Sequence, residues 1–260
     1  MLVNSPQKIQ TRFFDDIYKP TIEKLPTPLP NIDRGKKVLT EEVECDTYIA
    51  LYGGHHFHKL YAAFPLTNFE YIEGKNIEII DWGCGQALAT CILLDYFIEK
   101  CITPKIESIT LIEPSSIALW RGYGFVRQML QTSFPNNFIN WTVNKYIDDL
   151  NYNDFNTNND NIKIHLFSNI IDVEKFDLDK LYRLMNNSFT GINRIICTSP
   201  SHNTYNYRID KFHNLFCNNH RIKFSSHTNE SISKDVFYFN TGRFETRIIK
   251  RYERQFTAIL

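Results

Sequence analysis

The stretch IIDWGCGQALAT, residues 79–90, constrains the fold more than any other part of the chain. It begins with apolar residues typical of a buried strand and ends in an apolar pattern typical of a helix, with Gly83 and Gly85 at the junction. Glycines at such a turn let a ligand approach the backbone, where the helix N-terminus offers free N–H groups. A tight turn without a ligand would need glycine as well, so the pair alone leaves both interpretations open.

From residue 77 onward, strand and helix patterns alternate along the chain. Strands are predicted at residues 77–81, 108–114, 138–147, 162–171 and 193–200, and helices at residues 87–100, 115–131 and 175–187. Strands separated by helices indicate a parallel sheet covered on both faces. The segments RIKFSSHT, VFYFNTG and RFETRIIKRYERQF follow without a clear helix between them. We therefore predict an α/β fold, a Rossmann-like doubly wound and mostly parallel seven-stranded sheet with an antiparallel C-terminal edge hairpin.

The first 75 residues have a different character and are predicted to form a helical extension, residues 1–75, before a main domain of residues 76–260. A helix is expected over residues 5–19, capped by Ser5, with Ile9, Phe13 and Ile17 on one face. LPTPLP at residues 25–30 indicates an extended linker. A second helix is expected after Thr40, interrupted at residues 53–54 and continuing to residue 65.

Composition excludes several classes of protein. Lys plus Arg equals Asp plus Glu at 29 each, which argues against a surface devoted to nucleic acid. Six scattered cysteines without a CxxC pair are typical of reduced thiols, so we expect a cytoplasmic protein. The N-terminus lacks the apolar segment of a secretory signal, and no apolar run is long enough to cross a bilayer, so no membrane partner is expected.

Two carboxylates follow neighbouring predicted strands. Asp81 ends the first strand and Glu113 ends the second, where its carboxylate can accept hydrogen bonds from both hydroxyls of a ribose or, in the other interpretation, remain solvated. A dinucleotide fingerprint would require glycine at position 88, where Leu88 stands. An NAD-dependent oxidoreductase is therefore only a third choice.

The spacing D-x-G-x-G-x-A resembles the first motif of the class I S-adenosylmethionine-dependent methyltransferases, with Ala87 in place of the usual third glycine. The resemblance covers residues 77–260 and includes the late antiparallel hairpin. It implies S-adenosyl-L-methionine as cofactor, a methyl acceptor that the sequence does not identify, and an extended first helix or loop, since Gly85 and Glu113 are 28 residues apart. The cofactor-binding residues that it implies, with Glu113 at the ribose and Asp148 (in preference to Asp149) at the adenine amino group, are Asp81, Gly83, Gly85, Gln86, Glu113 and Asp148.

Catalytic groups are expected at the end of the fourth strand, where Ser168, Asn169 and Asp172 stand. By the same resemblance, enzymes that methylate amino groups of bases carry an Asn or Asp followed by two prolines and an aromatic residue here. The two prolines and the aromatic residue are absent here, which argues against amino groups of bases as the methyl acceptor. Ser168 and Asn169 could equally cap a helix starting near Asp172. The alternative function is therefore a non-catalytic methyltransferase-fold subunit that serves as a scaffold for a protein partner.

Histidines form two further groups. The segment YGGHHFHKLY, residues 52–61, could fold over the pocket, with His55, His56 or Lys59 reaching a substrate. Adjacent histidines on a helix point apart, so we predict no metal site there, nor at Cys217, His220 and His227. His202 could act as a base after the fifth strand, although Ser199 and Pro200 favour a simple turn.

The C-terminal segment interleaves basic residues with aromatic ones. Such a pattern can hold single-stranded nucleic acid, but it also arises on an exposed edge strand, where basic side chains discourage aggregation. We prefer the edge strand. The basic residues are Arg243, Arg247, Lys250, Arg251 and Arg254.

Overall fold

The structure, a computed structural model, describes residues 12–133, 139–173, 176–201 and 204–260. Within these residues seven strands form one sheet in the order β3-β2-β1-β4-β5-β7-β6. Strands β1 to β5 are parallel, and β7 lies antiparallel between β5 and β6. The predicted fold class is thereby confirmed. The strands are β1 Asn76–Trp82, β2 Lys105–Ile112, β3 Ile139–Val143, β4 Ile162–Ser168, β5 Ile192–Ser199, β6 Arg221–Tyr238 and β7 Arg243–Ile259.

Helices cover both faces of this sheet. Those of the described residues are α1 Lys19–Ile22, α2 Glu42–Tyr48, α3 Gly54–Ala63, α4 Leu88–Glu99, α5 Ser116–Ser133, α6 Leu178–Ser188 and α7 Tyr207–Cys217. One apolar core joins α4, α5 and the N-terminal segments to one face, and a second core joins α6 and α7 to the other. The strand order reverses between β1 and β4, so the carboxyl ends of these strands meet where ligands bind in doubly wound sheets.

Strand β1 is buried on both faces from Ile77 to Trp82, including the polar side chains of Glu78 and Asp81. Trp82 packs in the second core, and its indole Nε1 donates a hydrogen bond to Nδ1 of His165 at 3.2 Å. Nε2 of His165 then faces Oδ1 of Asn193 at 2.9 Å. Burial lowers the pKa of His165 to about 4, so this imidazole is neutral and both of its nitrogens form hydrogen bonds within the core.

Two C-terminal predictions need correction. Helix α7 has no predicted counterpart, although Ile209, Phe212 and Phe216 have helical spacing and are fully buried. The two strands predicted at RIKFSSHT and VFYFNTG are one strand, β6, because the polar residues between them pair along β7. β3 also ends at Val143, four residues earlier than predicted, and the chain then forms a short 3-10 turn, Ile147–Asp149.

The N-terminal segments form helical turns, including two π-helical ones, Phe13–Tyr18 and Ile49–Gly53. The interruption predicted at residues 53–54 is wrong, because both glycines have helical dihedrals. A Cβ on Gly54 would lie 2.7 Å from Oη of Tyr18, so glycine admits a close helix contact rather than a break. Ser5 and Ile9 of the first predicted helix lie outside the described residues.

These N-terminal segments share the core of the sheet domain. Phe64 is fully buried. Its ring centroid lies 6.0 Å from that of Phe69 and 5.4 Å from that of Tyr96, a residue of helix α4. The backbone N–H of Phe13 donates to the Asp95 carboxylate at 2.9 Å. We propose that the extension of residues 1–75 and the domain of residues 76–260 unfold together.

Replacing Phe64 with alanine is expected to lower the free energy of unfolding by about 3–5 kcal/mol, because it leaves a cavity at the junction. Leu66→Ala, at a neighbouring residue that is 41% exposed, is expected to cost less than about 1 kcal/mol. Urea unfolding followed by tryptophan fluorescence and circular dichroism measures both. A separate early transition of the extension would contradict the shared core.

The basic C-terminal residues lie on β7, which stands between β5 and β6 in the sheet and is not the predicted edge strand. Several of these residues have partners within the fold. Arg251 contacts Glu230 at 2.6 Å and Glu253 at 2.7 Å, and Arg254 contacts Asp210 at 2.8 Å. The Arg247 guanidinium lies 3.6 Å from the Tyr238 ring centroid.

In the described residues, no helix is both long enough and apolar enough to span a membrane.

Candidate active site

The turn after β1 is built from residues in the left-handed region of backbone space. Gly83, Gly85 and Ala87 have φ of +59°, +54° and +55°. A Cβ on Gly83 would lie 2.8 Å from Cγ1 of Ile170, so this glycine admits the loop after β4. A Cβ on Gly85 would meet no heavy atom within 4 Å. The turn therefore leaves an open space beside the Gly85 backbone.

The Glu113 carboxylate lies directly against this turn. Its Oε2 accepts a hydrogen bond from the Gly85 N–H and its Oε1 accepts one from the Ser115 N–H, both at 3.0 Å. Burial raises the pKa of Glu113, and the two N–H donors oppose that rise. Each carboxylate oxygen has a second lone pair for a further donor, such as a ribose hydroxyl.

A cavity of about 380 Å³ adjoins the turn and Glu113. The extension closes part of it through residues 35–39 and Tyr48, and Oγ of Ser115 donates to the Leu39 carbonyl at 2.6 Å. The wall includes seven of the predicted site residues: Gly83, Gly85, Gln86, Glu113, Asp148, Ser168 and Asn169. The wall also includes Asp149.

Asp148 lies at the β3 side of the cavity, as expected for a residue after the third strand. Its Oδ1 accepts from the Asp177 N–H at 3.2 Å, and its carbonyl accepts from Nζ of Lys180. Asp148 and Asp149 both contribute to the wall. The preference for Asp148 as the adenine contact stays a prediction.

Asp81 lies behind the turn rather than at the main cavity. It borders an adjoining chamber of about 30 Å³ and accepts hydrogen bonds from Oγ1 of Thr90 at 2.7 Å and from its N–H at 3.3 Å. Burial raises the pKa of Asp81 to about 7; the Thr90 bonds oppose this rise and the nearby Glu113 adds to it. The Asp81 carboxylate thus supports the start of α4. Because it does not line the main cavity, a ligand there would contact the turn and not the Asp81 carboxylate itself.

Asp81→Asn is expected to raise the melting temperature of the unliganded protein at about pH 8, because it removes a buried carboxylate that folding must keep ionised. The pKa of Asp81 is higher in the folded protein than in the unfolded chain. The free energy of unfolding of the wild type therefore falls by about 2–4 kcal/mol as pH rises from about 4 towards 7 and Asp81 becomes ionised. The variant lacks this loss, so the difference should be small near pH 4 and largest above pH 7. Thermal unfolding across this range measures it, and a difference that is independent of pH would contradict the assignment.

The Gln86 side chain is directed at the extension and α5. Its Nε2 donates to the Cys45 carbonyl at 2.9 Å, and its Oε1 accepts from Nε of Arg121 at 3.0 Å. Arg121 in turn pairs with Asp46 at 2.5 Å. Gln86 therefore ties the turn to helix α2, which sequence spacing did not indicate.

The end of β4 meets helix α3 in a polar cluster. Nζ of Lys59 donates to Oδ1 of Asn169, and the Asn169 amide nitrogen lies 3.0 Å from the His56 ring nitrogens. Oγ of Ser168 lies 3.5 Å from Nδ1 of His56, and Oη of Tyr48 lies 3.4 Å from its Nε2. The prediction that the YGGHHFHKLY segment can reach the site agrees with this arrangement.

Two properties of this cluster depend on burial. Lys59 is 3% exposed, and burial lowers its pKa to about 8. The charge of Asp172 acts in the opposite direction and raises the pKa of Lys59, but by less. Burial also lowers the pKa of His56 well below its usual value, so its ring is neutral. Oδ1 of Asp172 is buried without a hydrogen-bond partner among the described residues, and Asp172 lies outside the cavity wall.

Ser168 and Asn169 do not cap a helix near Asp172. Helix α6 begins at Leu178, and the Asp177 carboxylate caps it by accepting from the Asp179 N–H at 2.8 Å. Asn169 has φ of +56°, and its N–H donates to the Thr198 carbonyl at 2.7 Å. The capping interpretation is therefore wrong, and the strained Asn169 is held by contacts on both sides.

The other histidines have separate environments. Nε2 of His58 lies 3.0 Å from the Asp235 carbonyl of β6. No group of three or more metal-ligating side chains occurs in the ranges that the structure describes. His202 lies outside those ranges.

Two parts of the cavity wall were not predicted from the sequence: Tyr48 and the segment of residues 35–39. The helix and linker patterns of these segments do not indicate that they line a cavity.

Comparison with known proteins adds matches among solved structures. No protein-family model matches the chain, and no curated protein proved similar to it. A precorrin 8W decarboxylase from Methanobacterium thermoautotrophicum is 14% identical, with 77% of this chain and 88% of that chain covered and a TM-score of 0.44. A precorrin-6y C5,15-methyltransferase from Geobacter metallireducens is also 14% identical, with 89% and 98% covered and a TM-score of 0.40. An S-adenosylmethionine-dependent O-methyltransferase from Thermotoga maritima is 11% identical, with 78% and 64% covered and a TM-score of 0.44.

TM-scores of this size carry no argument, so the fold class rests on the sheet itself. Five parallel strands reverse their order between β1 and β4, and an antiparallel C-terminal hairpin completes the edge. A glycine turn follows β1, as the first motif requires. By its own strand order and turn, the chain has a Rossmann-like doubly wound fold with an antiparallel C-terminal hairpin.

Proposed function

We propose that this protein is an S-adenosylmethionine-dependent methyltransferase whose acceptor is not yet identified. The observation that carries the proposal is the contact between the Glu113 carboxylate and the Gly85 N–H, 3.0 Å apart, at the wall of a cavity of about 380 Å³. A glycine with open space beside it and a carboxylate on the next strand are what a bound nucleoside requires.

The residues present fit the cofactor. We assign Glu113 to the ribose hydroxyls and Asp148 to the adenine amino group, with Gly83, Gly85 and Gln86 bordering the amino-acid part. Asp81 supports the turn through Thr90. When bound, the cofactor would supply a methyl group on a sulfonium sulfur for transfer to a lone pair of the acceptor, with the electron pair of the S–CH₃ bond left on sulfur.

The chain's own contribution to transfer is positioning and exclusion of water. Asn169 and Ser168 border the cavity beside the turn, and Lys59 and His56 hold the Asn169 carboxamide in one orientation. A fixed side chain that aligns the acceptor can supply much of the rate of such a reaction. We assign Ser168 and Asn169 to acceptor alignment and Asp172 to the charge balance of Lys59.

Calorimetry with S-adenosylmethionine and with S-adenosylhomocysteine tests the cofactor. We expect binding of both and a higher melting temperature in their presence. An absence of binding at millimolar ligand, with an unchanged melting temperature, would remove the proposal. Incorporation of methyl label from the cofactor into components of a cell extract then separates transfer from binding alone.

A further inference from the structure

The Arg121 side chain joins the glycine turn to the N-terminal extension. Its Nε donates to Oε1 of Gln86 at 3.0 Å, and its two terminal nitrogens pair with Glu42 and, at 2.5 Å, with Asp46. Glu42 and Asp46 are four residues apart on helix α2, so one guanidinium holds that helix at two points. A lysine has a single nitrogen and could not occupy all three positions at once.

Arg121 also sets the orientation of a buried amide. The Gln86 side chain is 1% exposed, and its Nε2 donates to the Cys45 carbonyl of α2 at 2.9 Å. Because an arginine can only donate, the Gln86 oxygen must face Arg121 and the NH₂ group must face Cys45. Loss of the guanidinium would leave a buried amide oxygen without this donor, which favours a different position of the Gln86 side chain.

The backbone of the turn packs directly on the helix that carries Arg121. A Cβ on Gly122 would lie 2.7 Å from the backbone C of Gln86 and 2.9 Å from the backbone N of Ala87. Ala87 has φ of +55°, which a residue with a side chain keeps only where its surroundings hold it. Gly85 and Gln86 line the cavity, so a shift of this backbone moves the surface that a ligand would contact.

We propose that Arg121 is a positioning residue for the cofactor. Acting through Gln86, it fixes the backbone of the turn relative to helix α2, so that the two walls of the cavity keep one spacing: the turn on one side, and Tyr48 with residues 35–39 on the other. Among the described residues, Arg121 is not part of the cavity wall, so its effect on a ligand is transmitted by Gln86. The effect on cofactor affinity rests on the proposed function, whereas the tie between turn and helix does not.

The first test measures affinity for S-adenosylhomocysteine by calorimetry in Arg121→Met, Gln86→Met, the double variant and Arg127→Met, which removes an exposed arginine from the same helix. We expect Arg121→Met and Gln86→Met each to weaken binding roughly 10-fold and Arg127→Met to leave it unchanged. The double variant should bind as Gln86→Met does, because Arg121 acts through Gln86. Losses that multiply in the double variant, or wild-type affinity in Arg121→Met, would overturn the proposal.

Amide hydrogen exchange gives a readout that a loss of stability alone would not change. In the wild type, saturating S-adenosylhomocysteine should slow exchange in residues 42–47 of helix α2, which are not part of the described cavity wall. In Arg121→Met, the ligand should still slow exchange in the turn but protect α2 several-fold less. Full wild-type protection of α2 in this variant contradicts the proposal. A wild type that binds the ligand without protecting α2 also contradicts it, and this measurement needs no variant to fold.

The same measurement separates a failure of this inference from a failure of the proposed function. If the wild type binds no nucleoside, the proposed function fails, and the tie is tested on the unliganded protein. There, exchange in the turn and in residues 42–47 should be faster in Arg121→Met than in Arg127→Met, because only the first variant loses the contacts to Gln86 and α2. Equal exchange rates in the two variants would overturn the tie.

Discussion

Gly85→Leu is expected to weaken S-adenosylmethionine binding roughly 100-fold or more while the protein stays folded. The added side chain would enter the open space beside the turn, because no heavy atom lies within 4 Å of its Cβ position. The left-handed φ of +54° adds a backbone cost of about 1–2 kcal/mol. Calorimetry measures the affinity, and thermal unfolding measures the backbone cost.

Gly74→Leu is the matched control for this prediction. Gly74 has φ of +66° and also has no heavy atom within 4 Å of its Cβ position, but it lies in the turn before β1, away from the cavity. It should lose the same stability as Gly85→Leu and keep full cofactor affinity. Equal affinity in the two variants would mean that the space beside Gly85 is not where the cofactor binds.

Glu113→Gln is expected to weaken cofactor binding roughly 30- to 100-fold and to lower the free energy of unfolding by about 1–3 kcal/mol. The amide NH₂ would face either the Gly85 or the Ser115 N–H, so a donor would meet a donor. The amide would also accept fewer hydrogen bonds from a ribose than the carboxylate does. Glu107→Gln, on the exposed side of β2, is the control and should change neither quantity.

The pH dependence of binding gives a second readout for Glu113. Burial raises its pKa, so the carboxylate takes up a proton at a higher pH than an exposed glutamate does. A protonated Glu113 accepts fewer hydrogen bonds, and cofactor affinity should fall as pH falls through this pKa. The Gln variant should lack this dependence. A variant that retains the wild-type pH profile would show that Glu113 does not contact the ligand.

Local patterns of the sequence determined most of the sheet. Strands β1, β2, β4 and β5 are mostly buried and rich in isoleucine and other apolar residues, and such segments are readable without tertiary information. The Gly83–Gly85 turn and Glu113 were predictable as neighbours, since parallel strands that follow one another often pair and their carboxyl ends share one edge. Helix α7 was missed because its three buried residues, Ile209, Phe212 and Phe216, are a weak signal in a segment with many polar residues.

Only the tertiary structure decided how the extension meets the site. Lys59 and Asn169 are separated by 110 residues, and no pattern in either segment indicates that a buried ammonium would hold that carboxamide. The glycines at 53 and 54 suggested a break, yet they admit the Tyr18 ring. Spacing along the chain reports which face of an element is apolar, whereas contacts between distant segments depend on how those faces pack, and packing is a property of the whole fold.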